Sequence, residues 1–196
     1  MTHRPPLLQA FAEAAEAAIL ASVPAQSAAH QAAARVFERL RARVGRPGSG
    51  AGVALPVCDH LPAVLARSHP TRGAVVAALR PLLPQLDWAR RKTARPEDGA
   101  FWHGHANAML IGPGGLETRD DLWIGATIIA PGVTYPDHSH PPEETYLPLT
   151  AGEWWNSATD WTDPGAEGLF YNTPGITHAM RALPGQPFLA LWFLPV

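Results

Sequence analysis

The fold class that the sequence predicts is mostly β with an N-terminal α-helical extension, and it rests on two contrasts and one absence. Up to about residue 86 the apolar residues recur at the helical period. Beyond Ala94 the chain becomes rich in Trp, Thr, Ile and Phe, with turn clusters at strand-length intervals. No helical pattern separates these later segments, so they point to an antiparallel sandwich or barrel and not to parallel βαβ units. The expected organisation is a helical extension over 1–94 packed on a β-barrel domain over 95–196.

The elements follow in order. Leu7, Leu8, Phe11, Ala15 and Ile19 mark one amphipathic helix, and Ala33, Val36, Phe37, Leu40 and Val44 a second. Pro24 breaks the chain between them, since a proline inside a helix costs about 3 kcal/mol. Arg46-Pro47-Gly48-Ser49-Gly50 ends the second helix. Shorter helical segments carry Leu61, Val64 and Leu65, then Val75, Val76, Leu79, Leu82 and Leu83, the latter cut by Pro81 and Pro84. Strands are expected over 101–111, 122–130, 145–149, 153–156, 169–171, 177–182 and 188–194. Gly112-Pro113-Gly114-Gly115, Pro131-Gly132, Asp163-Pro164-Gly165 and Pro184-Gly185 supply turns between them.

Composition removes several classes of function. The 196 residues suffice for one domain or for one domain with a sizeable extension. With 46% apolar and 16% charged residues, intrinsic disorder is excluded. A net charge of -2, with no basic run beyond Arg90-Arg91-Lys92, leaves no electrostatic footprint for a phosphate backbone, so no nucleic acid partner is expected. The single cysteine, Cys58, cannot form an internal disulfide and reads as a small buried hydrophobe. The Ala-rich amphipathic start, with Pro5-Pro6, Glu13 and Glu16, lacks the apolar core of a signal peptide. There is also no apolar run of about 18 residues to span a membrane. A cytoplasmic protein with no membrane partner is expected.

One constellation calls for chemistry: His138-Ser139-His140-Pro141-Pro142-Glu143-Glu144, with His178 far downstream. Residues two apart on a strand share a face, so His138 and His140 can project inward together. A return strand carrying Glu144 and a distant strand carrying His178 would close three nitrogens and one oxygen around a cation. Imidazole with carboxylate suits Fe, Mn, Zn, Ni or Cu and leaves open positions for water or substrate.

Gly132 stands before His138, and Gly168 and Pro174-Gly175 lead to His178. This frame resembles the two motifs of the cupin superfamily, whose jelly-roll β-barrel holds a metal through His, His, Glu and His. The glycine expected after the glutamate falls one residue late, at Gly152, and Pro174 and Gly175 are adjacent instead of separated. The longer stretch from Tyr135 through Glu143-Glu144-Thr145-Tyr146, then Ala151-Gly152-Glu153-Trp154-Trp155, narrows the likeness. It resembles the DddQ-like, cupin-type bacterial dimethylsulfoniopropionate lyases, especially members with a helical N-terminal extension of similar length.

The resemblance implies a metal-dependent carbon–sulfur lyase that cleaves its substrate to dimethyl sulfide and acrylate by tyrosine-assisted β-elimination. It implies one divalent transition metal per chain, Fe, Mn or Zn, held by His138, His140, Glu144 and His178. Tyr135 is then the candidate catalytic base and Tyr146 a neighbour or additional ligand of the metal, two roles that can exchange. A cation near a phenol favours the phenolate over its ordinary pKa of about 10. Dimethyl sulfide leaves as a neutral molecule and needs no acid.

The sulfonium head is a cation without hydrogen-bond donors and favours aromatic faces. Trp155, Trp192, Tyr171 and Trp123 are the candidate substrate-binding residues, and Arg119 and Arg181 candidate partners of the substrate carboxylate. His103-Gly104-His105, on an expected strand with no carboxylate nearby, reads as structural or supporting. Asp120-Asp121 and Asp160 read as solvated turn residues. Two other uses of the same ligands remain open: a cupin dioxygenase or isomerase acting on another small organic acid, and a non-catalytic metal- or ligand-binding module. The helices must bury their apolar stripes, either as a lid over the barrel mouth or against a second subunit in a homodimer.

Overall fold

The computed structural model describes residues 3–196, so the first two residues of the expected helical extension lie outside the described residues. The helices are α1 (Pro6–Ser22), α2 (Ala28–Ala42), α3 (Leu61–Ala66), α4 (Gly73–Leu79) and α5 (Ala100–Gly104). The strands are β1 (Arg46–Pro47), β2 (Trp88–Ala89), β3 (His105–Ile111), β4 (Glu117–Thr118), β5 (Leu122–Ile129) and β6 (Thr134–His138). They continue as β7 (Glu144–Pro148), β8 (Glu153–Asn156), β9 (Thr159–Thr162), β10 (Phe170–Asn172), β11 (His178–Arg181) and β12 (Phe188–Pro195).

Local chemistry sets the first elements. Pro6 opens α1, where a fixed φ and a missing N–H cost nothing. The helix stops at Ser22 because Val23, the residue before Pro24, is pushed to an extended conformation at φ -146° and ψ 153°. The Ser27 side chain caps α2 by accepting a hydrogen bond from the His30 N–H at 3.2 Å.

The strands form two sheets, as the jelly-roll prediction requires. The larger has eight strands, ordered β1-β4-β3-β5-β12-β7-β10 with β2 beside β3, and the smaller runs β6-β11-β8-β9. Strand alternation gives the large sheet two distinct faces. Leu122, Ile124, Ala126 and Ile128 of β5, and Leu189, Leu191 and Phe193 of β12, join one core with Leu8, Phe11, Ile19, Val36 and Phe37 of the helices. Phe37 meets Phe193 with ring centroids 5.6 Å apart. The opposite face turns toward the small sheet, where Tyr146, Trp154, Phe170, Met180 and Phe188 form the barrel interior. The helices therefore cover the outside of the large sheet, and the expected lid over the barrel mouth is not what they form.

Two strand expectations change. Residues 101–104 belong to α5, so the strand expected from residue 101 starts at His105. Thr134–His138, Thr159–Thr162 and the two-residue β1, β2 and β4 are strands that the sequence reading left out.

A buried ion pair ties the start of the chain to β4. Arg4 Nε donates to Glu117 Oε2 at 2.5 Å and its Nη2 to Leu40 O at 3.0 Å, and the side chains are 5% and 2% exposed. Burial pushes the Glu117 carboxyl up, but Arg4, the Gly45 N–H and Arg119 outweigh it and hold it below the usual carboxylate range. Its contribution to stability is thus in place above the unfolded carboxylate's pKa and is lost as pH falls through the folded value. Arg4→Met leaves the carboxylate with the Gly45 N–H and Arg119 alone and is expected to cost about 1–3 kcal/mol. Urea denaturation measures this, and a loss under about 1 kcal/mol would place the pair among the weak surface bridges.

Candidate metal centre

The four candidate ligands come from three strands and one loop. His138 ends β6, His140 lies two residues beyond it, Glu144 opens β7 and His178 opens β11. The expectation that His138 and His140 share a strand is thus half met, because β6 stops at the first of them. In the small sheet His178 is the register partner of His138, with ring centroids 4.0 Å apart. The loop carrying His140 is stitched to the turn before β11, where the Gly175 N–H donates to His140 O at 3.0 Å. Gly175 sits at φ +73°, a backbone region that other residues enter only with strain.

One nitrogen from each of His138, His140 and His178 lies within 4.8 Å of the others. Glu144, on the large sheet, faces them with Oε2 3.2 Å from His140 Nε2 and 3.3 Å from His178 Nε2. Each Nδ1 sits against a carbonyl: His138 on Pro136 O at 3.0 Å, His140 on Pro142 O at 2.9 Å and His178 on Ile176 O at 3.0 Å. Where those carbonyls accept from Nδ1–H, the Nε2 atoms of His140 and His178 are left turned toward the carboxylate. Imidazole nitrogens and a carboxylate converging at this spacing favour a cation at their centre. His178 is 1% exposed, and its buried Nε2 has no hydrogen-bond partner. That orphaned atom and the N/O donor set fit a transition metal.

Burial and the His178 charge lower the His138 pKa to about 3, which keeps its imidazole neutral. Burial pushes the Glu144 carboxyl up, but His140 and His178 outweigh it and hold it at about 2. Burial pushes His140 down, yet the Glu144 carboxylate beside it raises it overall.

A cavity of about 230 Å³ opens beside this cluster. Tyr135 and Tyr146 line it with Trp123, Trp192, Met109 and Met180, and no residue of the helices does. Gly125 is the register partner of Trp192, and a Cβ there would stand 2.1 Å from the indole. Glycine at this position lets the ring lie against the sheet. Tyr135 is packed edge-on against Phe101 at 4.8 Å and His105 at 5.3 Å, and its hydroxyl accepts a hydrogen bond from Asn107 Nδ2 at 3.2 Å. The Arg91 guanidinium stands 5.8 Å over its ring.

Other candidates lie elsewhere. Trp154 pairs with Met180 and turns into the barrel, so its neighbour Trp155 points outward, 6.4 Å from the Trp161 ring, and does not line the cavity. Tyr171 also faces out, between the inward Phe170 and Asn172, and donates to Glu143 Oε2 at 2.7 Å. Arg119 is fully buried and donates to Arg43 O at 2.6 Å and Asp121 Oδ2 at 2.7 Å. Arg181 pairs with Glu153 at 2.6 Å and covers Trp161, on the outside. Neither arginine reaches the cavity. Asp121 is an ion-pair partner, held at about 2 by Arg119, and not a solvated turn residue. His103 and His105 are separated: His103 is exposed on α5, whereas His105 is fully buried, stacked on Phe101 and accepting the Arg91 N–H at 2.9 Å.

Asn107 and Thr127 are cavity residues that sequence reasoning missed. Their signal is a polar side chain at an inward position of an otherwise apolar strand.

Residues 28–190 match the family described as dimethylsulfoniopropionate lyase. Over 127 residues, 63% of the chain, the sequence is 33% identical to DddL of Cereibacter sphaeroides, a protein provisionally named as a dimethylsulfoniopropionate lyase. The chain spans about half of that relative, 52% of its length. Among solved structures it is similar to the DddQ lyase of Ruegeria pomeroyi, at TM-score 0.69 and 22% identity, with 98% of this chain and 93% of that one covered. A structure described with the lyases RdDddP and RnDddQII gives TM-score 0.71 at 21% identity, covering 97% and 92%. At these identities the likeness is one of fold.

Proposed function

Because the chain belongs to the dimethylsulfoniopropionate lyase family, we propose that it cleaves dimethylsulfoniopropionate to dimethyl sulfide and acrylate by β-elimination in the cavity beside His138, His140, Glu144 and His178. One observation carries the reading: a single cavity is lined by His138, His140 and Glu144 of the candidate cluster together with two tyrosines and two tryptophans.

The four side chains would hold one divalent transition metal, Fe, Mn or Zn, which when bound supplies a Lewis acid for the substrate carboxylate. Trp123 and Trp192 offer their faces to the sulfonium cation. Tyr135, as the phenolate that a bound divalent cation would favour, takes the proton on the carbon next to the carboxylate. As that C–H bond breaks, its electrons form the new C=C bond, and the C–S pair departs with neutral dimethyl sulfide. Surroundings favour Tyr135 over Tyr146 as base. Burial and the Glu144 charge raise Tyr135 overall, while the Asn107 donor and the Arg91 cation pull against them. Burial raises Tyr146 well above the usual range, and the Glu144 charge pushes it the same way.

Headspace detection of dimethyl sulfide tests the proposal, using purified protein stripped by chelator and reloaded with Fe(II), Mn(II) or Zn(II). Release is expected in the reloaded protein and not in the stripped one. Folded, metal-loaded protein that stays silent with every metal would overturn the reading.

A further inference from the structure

We propose that Asn107 is a positioning residue for Tyr135, oriented by a one-way chain of hydrogen bonds that begins at Trp192. Its kinetic consequence rests on the lyase reading above; the chain of hydrogen bonds does not.

Four cavity-lining side chains on four strands form it: Trp192 of β12, Thr127 of β5, Asn107 of β3 and Tyr135 of β6. Trp192 Nε1 lies 3.1 Å from Thr127 Oγ1, that oxygen 2.6 Å from Asn107 Oδ1, and Asn107 Nδ2 3.2 Å from the Tyr135 oxygen. Asn107 and Thr127 are register partners on adjacent strands, so the link between them is built into the sheet.

The direction of the chain follows from its first member. An indole N–H can only donate. The Thr127 hydroxyl accepts that bond and turns its own proton to the acceptor in reach, Asn107 Oδ1. This settles which way the amide stands, with oxygen toward Thr127 and NH₂ toward Tyr135. The Tyr135 oxygen therefore accepts, and its remaining proton or lone pair faces the cavity. Each donor also polarises the next, so the bond onto Tyr135 is stronger than an isolated amide would give. Reversing the Asn107 amide would leave the Thr127 proton without its acceptor and, with Tyr135 as the phenolate, would set Oδ1 against the tyrosine oxygen, which keeps that oxygen presented in one orientation.

Asn107→Leu removes the donor at similar size, Thr127→Val removes the hydroxyl, and Thr127→Ser restores it. In Asn107→Leu, kcat for dimethyl sulfide release is expected to fall about 10- to 100-fold, as loss of a hydrogen bond to a charged oxygen does. KM and metal content are expected to stay within about twofold, the pattern of an interaction made in the transition state. Thr127→Val should lose part of kcat and Thr127→Ser recover it. An unchanged kcat in Asn107→Leu, or a rise in KM that accounts for the loss, would overturn the proposal.

A second readout needs no turnover. The chain has 3 tyrosines, so protein labelled with ¹³C at tyrosine Cζ gives three signals, each assignable by a Tyr→Phe variant. Asn107→Leu and Thr127→Val should move the Tyr135 signal and leave Tyr171 in place; an unmoved Tyr135 signal would overturn the network. Absence of dimethyl sulfide from the metal-loaded wild-type protein would sink the lyase reading, while the carbon signal still decides whether Asn107 positions Tyr135.

Discussion

Replacing His178 with alanine is expected to remove metal retention and dimethyl sulfide release together. His178 is the most buried of the three imidazoles, at 1% exposure, and its Nε2 has no protein hydrogen-bond partner. As a ligand the histidine would supply a whole donor and not merely support for one. Metal affinity should therefore fall by more than the roughly 10- to 100-fold that loss of an outer partner costs. Elemental analysis of the purified variant, beside its circular dichroism spectrum, reads the result. A folded His178→Ala protein that keeps stoichiometric metal would take His178 out of the set.

Tyr135→Phe is expected to lower turnover by about 10²–10⁴, the usual contribution of a general base, with metal content unchanged. The phenylalanine ring keeps the packing against Phe101 and His105 and loses only the hydroxyl at the end of the Asn107 bond. Tyr146→Phe is the comparison, since both tyrosines line the same cavity. Full turnover in Tyr135→Phe alongside a collapse in Tyr146→Phe would exchange the two roles.

The candidate ligands were legible because three of them lie within a few residues of each other and the fourth follows a glycine turn; local spacing carries such information. What depends on tertiary register was not legible. Trp154 and Trp155 are adjacent and chemically alike, and only the pairing of Trp154 with Met180 decides which enters the barrel. Tyr171 stands outside for the same reason, one residue from Phe170 in the interior. The strand Thr134–His138 was hidden by Pro136 and Asp137, residues that ordinarily mark a turn. Pro136 is tolerated there because β6 is an edge of the small sheet. The short helix Ala100–Gly104 carries an apolar Phe101-Trp102 pair that reads as strand, and Phe101 stacking on His105 places it.

The two faces of the large sheet also bear on how this chain can change over evolutionary time. Along β12, Leu189, Leu191 and Phe193 belong to the core shared with the helices, whereas Trp192 and Leu194 belong to the cavity wall. Neighbouring codons therefore answer to different selective pressures, one set to persistence of the folded chain and the other to what fits beside the imidazoles. A library randomised at the cavity-lining Met109, Trp123 and Leu194 would explore new substrates at lower cost to folding yield. The same diversity placed one residue along would mostly return insoluble protein.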